Sequence, residues 1–115
     1  MYRNSYSEVL ENAPQTTRAH ERAAILQSIR LLDRAEAAGV NSPEAAEALF
    51  FVRQLWEFFL GNLADTENQL PEKLRADIIS IGISLLNEAE KVKRGEVKSF
   101  ASMKEISQSI ATGLL

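Results

Sequence analysis

Ile79-Ser80-Ile81-Gly82-Ile83-Ser84-Leu85 is the stretch on which the fold of this 115-residue chain turns. Taken alone it alternates apolar and small residues strictly, the pattern of a half-buried strand, and Gly82 inside a helix costs about 1 kcal/mol relative to alanine. Taken with its flanks it belongs to a longer period: Leu74, Ile78, Ile81, Leu85, Ala89 and Val92 recur every three to four residues across an unbroken segment. The chain holds no second strand candidate, and an isolated strand has nothing to pair with. The spacing therefore predicts a helix, opened by Pro71 and running to about Arg94 before Gly95, with Lys91, Lys93 and Arg94 at its negative end.

Upstream, Ser42-Pro43-Glu44 combines a hydroxyl cap, a proline suited to the first helical position and a carboxylate facing the positive helix start. These residues predict a helix to about Ala64, separated from the Pro71 helix by the polar connector Asp65-Thr66-Glu67-Asn68-Gln69. Before it, Thr16 or Thr17 can cap a helix from about Arg18 to Ala38, which Gly39 ends. Ser102-Met103-Lys104-Glu105 has capping-box spacing and predicts a short last helix ending at Gly113. Ser5-Tyr6-Ser7-Glu8 repeats the spacing and predicts a brief helix before Pro14. The expected fold is all-α, a small helical bundle of three long helices plus short terminal helices, forming a single domain over residues 1–115.

Placed on a helical wheel, Ala45, Leu49, Val52, Trp56, Phe59, Leu60 and Leu63 share one face, which is core. Phe51 and Phe58 lie beyond Leu55 on one flank, and the apolar arc widens to roughly 200°, twice the stripe of an ordinary surface helix. In the next helix Ile79, Ile83 and Leu86 extend the core face in the same way, with Gly82 between the two sets and small enough to let another helix come close. Two readings account for the surplus. Each helix packs against two neighbours, as bundle members do, or part of the surplus is a groove for a partner's amphipathic helix. On the second reading the candidate partner-binding residues are Phe51, Arg53, Gln54, Phe58, Ile79, Ile83 and Leu86, with Trp56 central and structural. A third use of the same surface is a homodimer seam.

Composition bounds the chemistry. A hydrophobic fraction of 45% and a charged fraction of 25% are those of a folded globular protein. With 0 cysteines there is no disulfide, thiolate nucleophile or cysteine-bound metal, which suits a reducing cytoplasm. The first residues lack the apolar stretch of a signal peptide, and the longest apolar run, Ala48-Leu49-Phe50-Phe51-Val52, is far short of the roughly 20 residues that cross a bilayer. His20 is the single histidine and sits in no zinc or triad pattern, and Gly39, Gly61, Gly82, Gly95 and Gly113 form no phosphate-binding fingerprint. A binding protein without catalytic residues, metal or cofactor is expected. The net charge of -3 disfavours direct nucleic-acid binding, although Lys91, Lys93, Arg94, Lys98 and Lys104 gather near one helix end.

The order of features resembles the FlaF family. It has Tyr2 and Tyr6 near the start, Pro14-Gln15, Val52-Arg53-Gln54-Leu55-Trp56, and then Leu70-Pro71-Glu72-Lys73-Leu74-Arg75-Ala76-Asp77-Ile78-Ile79-Ser80-Ile81-Gly82-Ile83. Beyond Ser99 the likeness is loose. The resemblance implies a cytoplasmic factor that promotes flagellin synthesis and secretion, binds flagellin as an export chaperone would, and acts beside the translational regulator FlbT. It implies as an alternative a post-transcriptional regulator acting on flagellin messenger, directly or by modulating FlbT. Flagellin's terminal segments are amphipathic helices, so an apolar groove suits the first reading.

Overall fold

The computed structural model describes residues 14–64 and 70–113, with side chains described for 20–64 and 70–112. These residues form four helices: α1 (Pro14–Ala38), α2 (Pro43–Ala64), α3 (Glu72–Lys93) and α4 (Ala101–Gly113). Among the described residues there is no strand. The alternating stretch Ile79–Leu85 lies wholly inside α3, so the 3.6-residue period prevails over the local alternation.

α1 begins four residues before the expected Arg18, because Pro14 takes the first helical position, where its fixed φ and missing N–H fit. Thr16 and Thr17 therefore lie within the helix and not at its start. The brief helix expected over Ser5–Glu8 and the connector Asp65–Gln69 lie outside the described residues. At the other end Gly39 adopts φ 104°, and the following Ser42 accepts the Ala45 N–H on its hydroxyl at 3.1 Å, the cap expected for α2. α3 closes in a Schellman motif. Glu96 N–H donates to Lys91 O, Gly95 N–H donates to Val92 O, and Gly95 supplies the positive φ of 79°.

The start of α4 is not the Ser102 capping box, since Ser102 falls within the first helical turn and is exposed. Ser99 Oγ accepts the Ala101 N–H at 3.1 Å and donates to Glu36 Oε2 at 3.0 Å. The same Glu36 oxygen accepts the Phe100 N–H at 2.8 Å. A carboxylate of α1 thus satisfies an orphan amide at the N-terminus of α4 and places its charge at the positive end of that helix. One turn on, Lys104 Nζ meets Asp33 Oδ1 at 2.7 Å. The hydrogen bond to Asp33 holds this ammonium above the ordinary 10.5, against the opposing effect of burial, with the charges of Asp33 and Glu36 adding to the rise.

Position 36 meets 100 and position 33 meets 104, so α4 runs antiparallel to α1. The tight Gly39 turn makes α2 antiparallel to α1 as well, and the short link after Lys93 returns α3 to the end where α4 begins. The result is an up-down-up-down ring in which α1 adjoins α2 and α4, and α3 adjoins the same two. Ile25, Leu32, Val52, Trp56, Leu85, Phe100 and Met103 fill its centre. Gly82 supplies the close approach expected of it: a Cβ there would fall 2.6 Å from Trp56 Cε3. The indole, 1% exposed, lies against the α3 backbone and edge-on to Phe59, with ring centroids 5.3 Å apart.

Candidate helix-docking surfaces

Five consecutive apolar residues on a helix cover its whole circumference, so the run Ala48–Val52 in α2 must turn some of its bulk outward. That residue is Phe50, 63% exposed and the most exposed large apolar side chain among the described residues. On the helical wheel Phe50 lies outside the widened arc that holds the core face, Phe51 and Phe58, so apolar periodicity does not single it out. Phe51 is half-buried and packs on the core, whereas Phe58 is 42% exposed and leans on Phe59 at a centroid distance of 6.3 Å.

Glu47, Phe51, Gln54 and Phe58 recur at i, i+4, i+7 and i+11 and form one stripe along α2. Its place is fixed by Arg34 of α1, whose Nη2 lies 3.4 Å from Glu47 Oε1. Moving around α2 away from α1, the surface passes Gln54 and Phe50 and reaches Arg53 and Glu57, an exposed ion pair at 3.2 Å. Leu60, one of the α2 residues facing Gly82, marks the border with α3. Across that border Ile79, Ile83 and Leu86 form a stripe on the flank of α3 turned away from α4. Ile83 is 49% exposed, Ile79 is half-buried, and Leu86 packs on the core.

The seven sequence-predicted residues therefore share one side of the bundle without forming one groove. Exposed Phe50 and Phe58 stand eight residues, about 12 Å, apart along α2, and Arg53 and Glu57 lie between them and exposed Ile83 of α3. Of the four large apolar side chains that stand exposed among the described residues, Phe50, Phe58 and Ile83 lie on this side and Leu26 on α1 does not.

A shallow, open depression lies elsewhere on the bundle. α3 and α4 form the most open pair of the ring. Between the first half of α3 and the second half of α4 is a cleft of about 660 Å³. Leu74, Ile81, Ile106 and Ile110 make its apolar floor, and Asp77, Ser80, Ser84, Glu105 and Ser109 its rim. No sequence signal announced it, since each of its residues reads as an ordinary edge of its own helix.

Other chemistry has little footing. Among the described residues no three His, Asp or Glu side chains gather as metal ligands, and His20 is exposed. No described helix is long and apolar enough to cross a membrane. The basic cluster at the α3–α4 link is partly neutralised, because Arg94 pairs with Glu96 at 2.7 Å and Lys104 with Asp33. Lys91, Lys93 and Lys98 remain exposed there.

Comparison with known proteins finds one family, described as flagellar protein FlaF, which matches residues 2–114. No curated protein and no solved structure matches the chain.

Proposed function

Because the chain belongs to the FlaF family of flagellar proteins, we propose that it is a cytoplasmic, non-enzymatic regulator of flagellar biosynthesis. It promotes flagellin synthesis and secretion by binding flagellin as an export chaperone. The observation that carries this reading is the gathering of Phe50, Phe58 and Ile83, all exposed, on one side of a bundle whose core is already filled. Exposed large apolar side chains on one surface mark an interaction site, and aromatic anchors dominate such interfaces. An amphipathic helix laid along α2 would seat apolar residues on Phe50, Phe58 and Ile83. The Arg53–Glu57 pair between them would engage polar groups and fix the register.

The alternative, regulation through flagellin messenger directly or by way of FlbT, draws its support from exposed Lys91, Lys93 and Lys98 at one end of the bundle. Salt separates the two. Direct RNA binding through phosphate contacts of these three lysines weakens by roughly 20- to 40-fold between 50 and 200 mM salt. Apolar docking persists and carries a negative heat-capacity change. Calorimetry of the purified protein with flagellin, and separately with the messenger leader, is the test. Salt-resistant binding of flagellin supports the chaperone reading, and absence of heat with flagellin at each of two well-separated temperatures overturns it. Light scattering across a concentration series tests whether a homodimer uses the same face.

A further inference from the structure

We propose that the depression between α3 and α4 is a second docking surface, whose occupant is a basic amphipathic helix of another protein, an apolar stripe bordered by lysines or arginines. The surface shares no residue with the α2–α3 face assigned to flagellin, so either can stand without the other.

The apolar part of the fit sets the length. Along α3, Leu74, Asp77, Ile81 and Ser84 follow one another at steps of three or four residues and therefore share a face. From Leu74 to Ser84 is about 15 Å, close to three helical turns. Glu105, Ile106 and Ser109 of antiparallel α4 form the opposite wall. Ile110 is buried, but Leu74, Ile81 and Ile106 stay half-buried although they lie between two helices. Apolar residues repeating at every third or fourth position of a partner helix would cover these three.

Charge decides which helix. Among the described residues the lining holds two exposed carboxylates, Asp77 on one wall and Glu105 on the other, three exposed serines, and no lysine or arginine. Asp77 pairs with Lys73 at 3.2 Å, but that lysine is 89% exposed, so the pair contributes little and exchanges readily for a partner's cation. An incoming carboxylate would meet like charge on both walls. A lysine or arginine can instead lay its aliphatic stem on the floor and bring its charge to the rim. The exposed face of α1 is also basic, with Arg22, Arg30 and Arg34 around Leu26. It carries a single exposed large apolar side chain, however, so a second copy of this chain would match the rim and leave most of the floor uncovered.

The test uses a fluorescein-labelled peptide of about 18 residues, long enough to form a helix, with leucines on one stripe and lysines on its borders. A second peptide carries glutamate in place of every lysine. Anisotropy titrations with the full-length protein should show the glutamate peptide binding about tenfold more weakly. Glu105→Lys should weaken the lysine peptide about fivefold and strengthen the glutamate peptide. Glu44→Lys makes the same change of net charge at the start of α2 and should leave both nearly unchanged, as should Phe50→Ser combined with Ile83→Ser. Circular dichroism checks that each variant keeps its helices. Failure of the lysine peptide to bind, equal affinity of the two peptides, equal effects of Glu105→Lys and Glu44→Lys, or loss of binding without Phe50 and Ile83 overturns the proposal. So does a mass of two or more chains in the absence of peptide that Glu105→Lys returns to one, because a second copy would then be the occupant.

Discussion

Gly61 and Gly82 both lie inside helices, and the same substitution should move stability in opposite directions at the two positions. At Gly61, on the exposed side of α2, an added Cβ meets nothing within 4 Å. Gly61→Ala should therefore gain the full helix preference of alanine, about 1 kcal/mol. At Gly82 the same Cβ falls 2.6 Å from Trp56 Cε3, 2.9 Å from Cζ3 and 3.2 Å from Leu60 Cδ2. The indole cannot slip aside, being 1% exposed and braced edge-on by Phe59. α3 must retreat from α2, and overpacking of this kind costs about 1–3 kcal/mol. Offset by the same gain of about 1 kcal/mol, Gly82→Ala should destabilise by about 1 kcal/mol, a fall in melting temperature of roughly 5 °C for a domain of this size. Urea unfolding followed by far-ultraviolet circular dichroism and by fluorescence of the single tryptophan reads both variants on one scale. The two should differ by about 2 kcal/mol. If Gly82→Ala stabilises as much as Gly61→Ala, the close α2–α3 contact does not exist.

Further outcomes follow from the polar groups. Glu36→Ala removes the carboxylate that accepts from Phe100 N–H and Ser99 Oγ, and should cost about 1.5–3 kcal/mol in urea unfolding, with Glu36→Gln recovering part of it. Lys104 has a pKa in the folded chain above the ordinary 10.5, so folding favours its charged form. Its contribution is present in full below about pH 10.5 and is lost as pH rises through the folded value. Lys104→Met should abolish that alkaline component, seen as a shallower fall of the unfolding midpoint above about pH 10.5. Ser107 Oγ is buried with no hydrogen-bond partner among the described residues. Ser107→Ala should leave stability unchanged or raise it by about 1 kcal/mol, and a clear loss by thermal melting would show that the hydroxyl is satisfied.

The helices were legible because their signals are local and mutually consistent. Ser42-Pro43, Gly39 and Gly95 mark ends through backbone requirements that hold in any context. The 3.6-residue period around Ile79–Leu85 outweighed a shorter alternation because α3 is long. Two termini were misread for reasons that sequence does not carry. Ser102 has the spacing of a capping box, but a carboxylate 64 positions upstream from Phe100 serves the start of α4 instead. Thr16 and Thr17 looked like caps, but Pro14 had already opened α1.

For the candidate surface, the wheel identified which flanks of α2 and α3 are apolar, yet could not say how far neighbouring helices cover them. Phe51 and Leu86 are taken up by the core, Phe58 and Ile83 are left outside, and Phe50 emerges only once α1 and α3 are in place on either side of α2. The α3–α4 depression depends on how far two helices diverge, a property of packing with no counterpart in either helix's own sequence.

We propose that flagellin docks on the outer surface of α2 and α3. This docking is tested most directly by combining Phe50→Ser with Ile83→Ser and measuring affinity for flagellin by calorimetry alongside the unfolding midpoint. Both side chains are largely exposed, so the midpoint should hardly move. Loss of one interface anchor of about 2 kcal/mol already weakens binding roughly 30-fold, and the account predicts at least that. Unchanged affinity for flagellin in the doubly substituted, folded protein would contradict it.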